Sequence, residues 1–202
     1  NPASTNKTLT TTAAAPVGST VVVGVSLDTG NGVAVTAVSD GTNTYTKIDG
    51  TGIIGSKSEV SLWYAPAIAS QLASGSTITV TFGSSSGASS CNIAAAYITG
   101  LVATPLDKFG HVSASSGTSI SIATGTLTQA TEIVIGFGGD ISGLGSTVYN
   151  GASGFDNINK SSSSNGVTAL DFEITHATTA VTFAPGWGSA IRMGAVVATF
   201  KG

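Results

Sequence analysis

The sequence predicts an all-β protein built as two tandem antiparallel β-sandwich lobes of immunoglobulin-like or jelly-roll type. Three observations carry this. Apolar residues alternate with a period of two along most of the chain, and a helical period is nearly absent. Of 202 residues, 57 are Ser or Thr and 27 are Gly, a composition suited to many short strands joined by turns. The elements also recur in the same order in the two halves.

The elements follow from local pattern. In the first half, Ser19–Leu27, Val33–Ser39, Thr44–Asp49, Glu59–Ala65, Thr77–Phe82 and Cys91–Thr99 read as strands. In the second half the strands are Ser119–Ala123, Glu132–Phe137, Thr147–Tyr149, Val167–Thr175, Ala180–Phe183 and Arg192–Phe200. Asp40-Gly41-Thr42-Asn43 has the residues of a hairpin turn, with Gly supplying a positive φ. Pro66–Ala73 is the one stretch compatible with a helical turn.

The repeat is seen by alignment. Val22-Val23-Gly24-Val25 matches Val134-Ile135-Gly136-Phe137, and the same offset pairs Asp28 with Asp140. Leu62-Trp63-Tyr64 matches Leu170-Asp171-Phe172, Phe82 matches Phe183, and Tyr97 matches Phe200. The expectation is an internal duplication: a first lobe over 1–103, a connection over 104–117 and a second lobe over 118–202. The alternative is a single larger jelly roll with interleaved strands. Leu106 and Phe109 in the connection are candidates to staple the lobes together.

Val35–Tyr45, Leu62-Trp63-Tyr64-Ala65-Pro66, Thr77–Phe82, Ala94–Leu101 with Pro105-Leu106-Asp107, and the closing Ala198-Thr199-Phe200-Lys201 form a set of strings. Together they resemble a tandem β-sandwich module of secreted bacterial surface proteins and phage structural proteins. The turn departs from the module's pattern, since Gly41 precedes Asn43 by two. These are core and turn residues, so the resemblance implies a fold and an exposed setting, and carries no catalytic residues.

Composition narrows function. Seven basic and ten acidic residues give a net charge of −3, and 8% of residues are charged. Seven cations do not build a phosphate-neutralising stripe, which excludes a nucleic-acid binder. No apolar run approaches about 18 residues, so membrane insertion by a helix is not expected. An ordinary cytosolic enzyme carries about 25% charge. The expected setting is extracellular, on a cell surface or on a virion surface. The chain starts at Asn1 rather than Met, which predicts a processed or excised product.

Chemistry is sparse. Gly83–Gly87 satisfies G-x-S-x-G, yet no helix follows to form a nucleophile elbow. His111 and His176 read as surface polar residues, and the lone Cys91 as a small buried hydrophobe. Asp171 and Glu173 alternate with Leu170, Phe172 and Ile174, so they share one strand face as glycosidase acids would; the plainer reading is two acids on a solvated face. Asp28, Asp40, Asn43 and Asp140 are weak calcium candidates in turn-like segments, without EF-hand spacing. No cofactor is expected. Asn6-Lys7-Thr8 and Asn159-Lys160-Ser161 are glycosylation sequons.

Trp63 and Trp187 are the candidate ligand-binding residues. If Val60, Leu62 and Tyr64 face the core, Trp63 stands on the outer face, where it would stack on a sugar ring or anchor a protein contact. Trp187 lies in a Gly-rich segment and reads as a loop-tip contact or a lid over a sandwich end. The expected function is a non-enzymatic structural or assembly protein that associates with itself or with other structural subunits. The alternative is a carbohydrate-binding module or adhesin that takes glycans through exposed Trp. A glycan hydrolase resting on Asp171 and Glu173 is the third reading.

Overall fold

A computed structural model of the chain describes residues 5–28, 33–48, 58–83, 91–140, 147–163 and 166–202. The expectation of an all-β chain holds: the described residues form strands and turns, without a helix. The first half contains β1 (Asn6–Thr10), β2 (Thr20–Asp28), β3 (Val35–Ser39), β4 (Thr46–Ile48), β5 (Ser58–Ala65), β6 (Thr77–Phe82) and β7 (Cys91–Ile98). Next come β8 (Leu106–Ser119), β9 (Ile122–Ala123), β10 (Thr131–Asp140) and β11 (Tyr149–Ala152). The chain continues through β12 (Asp156–Ser163), β13 (Gly166–His176), β14 (Thr182–Phe183) and β15 (Pro185–Lys201).

The strands stack as layers. A three-stranded sheet, β1-β6-β3, covers a four-stranded sheet, β4-β5-β2-β7. A six-stranded sheet follows, ordered β11-β15-β10-β13-β12 with β8 on β15, and the pair β14-β9 caps it. All these pairings are antiparallel.

Three apolar cores separate the layers. Val21, Val23, Val25 and Leu27 of β2 meet Ile78, Val80 and Phe82 of β6 in the first. The opposite face of the four-stranded sheet, with Val22, Leu62 and Ala94, meets Ile135, Phe137, Leu170 and Val196 in the second. The far face of the six-stranded sheet, with Val134, Ala169 and Val197, packs on Phe183 and Trp187 in the third. The period of two thus fills a different core from each strand face.

Close approach of the layers needs glycine at several positions, and at two of them the glycine faces a ring. A Cβ on Gly24 would fall 2.3 Å from the Phe137 ring, and one on Gly136 would fall 2.4 Å from the Phe183 ring. Each glycine is the hollow that receives a ring from the next layer.

Several expectations are corrected. Residues 106–119, read as mostly connection, form the long strand β8 in the six-stranded sheet. Pro66–Ala73 makes turns rather than a helical turn, and Ala67 has φ +42°. The order β4-β5-β2-β7 in the first half recurs as β12-β13-β10-β15 in the second. The residue alignment follows it in part: Leu62 and its match Leu170 both lie in the core between the halves, whereas Val22 lies there and its match Val134 lies in the third core. A one-residue slip exchanges strand faces, so the match between β5 and β13 keeps its core and the match between β2 and β10 does not.

Candidate functional site

β8 is the longest outer strand of the six-stranded sheet. Among the described residues it pairs only with β15, leaving its second edge without a strand. Its side chains alternate between half-buried and exposed over most of its length because one face lies on the protein and the other on solvent. From Phe109 to Ala114 the register with β15 is unbroken, pairing Ala198 through Met193 in turn. Shifts in register fall near both ends, between Ala198 and Phe200, and again between Ile191 and Met193.

Proteins blunt such edges with lysines, prolines, short strands or bulges. β8 has one Lys, at position 108, and from Phe109 to Ser119 it has no residue with a formal charge at neutral pH. Phe109 is 42% exposed, and His111, Ser113 and Ser115 are exposed beside it. The arrangement is a regular, uncharged strand edge that can accept main-chain hydrogen bonds from another strand.

The start of β8 is fastened by an acid. The Asp107 carboxylate accepts hydrogen bonds from the Thr128 N–H at 2.8 Å and the Thr128 hydroxyl at 2.7 Å. Burial alone would raise Asp107, but these bonds outweigh it and hold the carboxyl below its usual range. Glu132 is 1% exposed, and burial, with the Asp107 charge beside it, pushes its carboxyl upward.

The residues singled out by sequence lie elsewhere. Trp63 is 7% exposed and points into the first core, contrary to the expectation of an outer face. β5 is buried on both sides, so Leu62 fills one core and Trp63 the other. The Trp63 indole N–H donates to Ser61 Oγ at 3.1 Å. Trp187 is 2% exposed, on β15, and packs edge-on against Tyr149 with centroids 5.6 Å apart. Neither ring offers a face to a ligand.

The two acids of β13 are not on a solvated face. Asp171 is buried, accepting from the Tyr149 hydroxyl and from Asn157 Nδ2 at 2.7 Å, while Ile174 is 50% exposed. Burial outweighs those two bonds and raises the Asp171 carboxyl. Glu173 is half-buried near Gly154.

Asp40 accepts from the backbone and side chains of both Thr42 and Asn43, and from the Tyr45 hydroxyl, all at 2.8–3.1 Å. Burial works against its charge, but these bonds prevail and lower its pKa. Its carboxylate thus organises the turn, and Asn43 bridges it to Ser70. Asp140 is buried at the end of β10, and Asp28 ends β2 with its side chain outside the described atoms. Among the described residues no three His, Cys, Asp or Glu side chains gather as metal ligands. Gly83 ends the described part of the Gly83–Gly87 string, and residues 84–87 lie outside it. Cys91 is buried, and burial pushes its thiol up to about 12. His111 and His176 are exposed, on β8 and at the end of β13.

The raised acids set a pH dependence. A carboxyl whose folded value lies above its unfolded one gives stability that is full below the unfolded value and lost as pH rises through the folded one. Denaturation midpoints are therefore expected to fall as pH rises from about 4 towards neutrality. Asp171→Asn is expected to raise the midpoint at pH 7 while leaving it nearly unchanged at pH 4. An equal shift at both values would contradict the assignment.

Scanned against family models, curated proteins and solved structures, the chain matches none.

Proposed function

We propose that the chain is a non-enzymatic assembly subunit of a virion, extracellular filament or cell surface, joining copies of itself or other structural subunits through β8. The observation that supports this reading is the regular, uncharged edge from Phe109 to Ala114, which no strand pairs among the described residues. A strand added there gains main-chain hydrogen bonds, and few charges must be stripped of water to form the contact. The low charge of the whole chain favours the same outcome. The repeated strand order supports a further part of the proposal, that the halves arose by duplication.

The test is sedimentation and electron microscopy of the wild type beside a Ser113→Lys, Ser115→Lys variant. Both serines are exposed, so the variant is expected to keep its unfolding midpoint. The wild type is expected to associate with rising concentration, and the variant to do so roughly tenfold more weakly or worse, because like charges meet at the shared edge. A wild type that stays monomeric at high concentration, or assemblies indifferent to both lysines, would overturn the reading.

A further inference from the structure

A second feature lies on the open side of the first sandwich, away from β8. The outer strands β1 and β7 approach one another there, and β12 of the six-stranded sheet closes in beside β7. Between them is a cleft of about 320 Å³. Its floor includes Val21, Leu72 and Ile78, buried side chains of the first core. Its rim includes Thr10 and Thr12 and two exposed apolar side chains, Tyr97 at 42% and Ile158 at 39%. None of the described residues lining it is acidic, basic or histidine.

The backbone of β7 adds a direction. Asn159 of β12 donates its side-chain N–H to the Ala95 carbonyl at 3.4 Å, a long bond made from the side of β7 away from β2. Alternate residues of an antiparallel strand turn both N–H and C=O to the same side. Tyr97 therefore directs its main-chain groups to that side as well, alongside an apolar floor.

We infer that this cleft binds an extended, uncharged peptide segment, with an apolar side chain on the floor and its main chain on the Ala95–Tyr97 edge of β7. Neutrality follows from the lining, since a charged ligand would lose water there without gaining a partner. An extended form follows from the outer edge of β7, which no strand pairs among the described residues and which rewards a strand and not a helix. The Asn159 amide occupies the position of the incoming N–H and would be displaced, so a glycan on this sequon would compete for the same space. The cleft volume is at the small end of ligand sites, about 300–1,000 Å³, which suits one or two aliphatic side chains.

The probe is a fluorophore-labelled acetyl-Thr-Val-Thr-Val-Thr-amide, followed by anisotropy. The inference does not depend on β8, so binding is measured on the wild type and on the Ser113→Lys, Ser115→Lys variant, with equal affinity expected. Tyr97→Arg and Ile158→Arg, both at exposed sites, are each expected to weaken binding tenfold or more with unfolding midpoints unchanged. Replacing both valines of the probe by aspartate is expected to abolish binding. Absence of saturable binding to the folded wild type would overturn the inference, as would indifference to both arginines or equal binding of the acidic probe. Binding of maltohexaose in place of the peptide would overturn it in favour of a sugar.

Discussion

Gly24→Ala is expected to destabilise the protein by about 2–3 kcal/mol, the upper part of the range for adding a methyl group to a packed core. The new Cβ would stand 2.3 Å from Phe137 Cδ2, and Phe137 is fully buried with no open side to move into. The ring must leave its rotamer or the two sheets must part. Gly24 belongs to β2 and Phe137 to β10, so the clash is carried between the two halves of the chain. Phe137→Leu alone leaves a cavity and destabilises as well. In the double variant the alanine methyl occupies part of that cavity, and the combined loss is expected to be about 1–2 kcal/mol smaller than the sum of the single losses. Urea unfolding of the four proteins measures this directly. Strict additivity would mean that the two sheets do not share this contact.

Lys47→Met is expected to destabilise by about 3 kcal/mol, as when one partner of a buried ion pair is removed. Glu59 is 1% exposed; one carboxylate oxygen accepts from Lys47 Nζ at 2.7 Å and the other from the Val35 N–H at 2.8 Å. Lys47 Nζ also lies 5.9 Å from the Trp63 ring centroid, so methionine removes a cation–π contact along with the partner of Glu59. Adding Glu59→Gln is expected to recover most of it, because the amide still accepts from Val35 and leaves no charge buried. A double variant no more stable than Lys47→Met would place the effect in the lost cation–π contact with Trp63 instead.

Much of the architecture is legible in the alternation of β2, β6 and β13, where branched or aromatic residues recur at every second place. The strands that escape such reading are β1, β8 and β12. Each is a sheet edge with mainly Thr, Ser, Asn or Gly along it, so burial leaves little apolar period to detect. In β8 the inner face is marked mainly by Val112 and Ala114, set among His111, Ser113 and Ser115. The same argument explains Trp63. Alternation shows that β5 has two faces, but a strand in a middle layer has apolar residues on both, and neither is distinguishable as outer. Asp171 is the polar counterpart, a carboxylate admitted to an interior because Tyr149 and Asn157 follow it there.

The order of the strands also governs how the molecule can be made. When a ribosome has delivered the first seven strands, the four-stranded sheet can close, but its face with Val22, Leu62 and Ala94 has nothing yet to cover it. The cover comes from β10, β13 and β15, and β15 lies inside its sheet, between β10 and the outer strand β8, although it is last in the sequence. A nascent chain therefore presents a wet, adhesive surface throughout the synthesis of its second half. Its final closure is slow by topology, since it must bring together strands far apart along the chain. This interval, rather than the finished protein, is where helper proteins or crowding would decide yield.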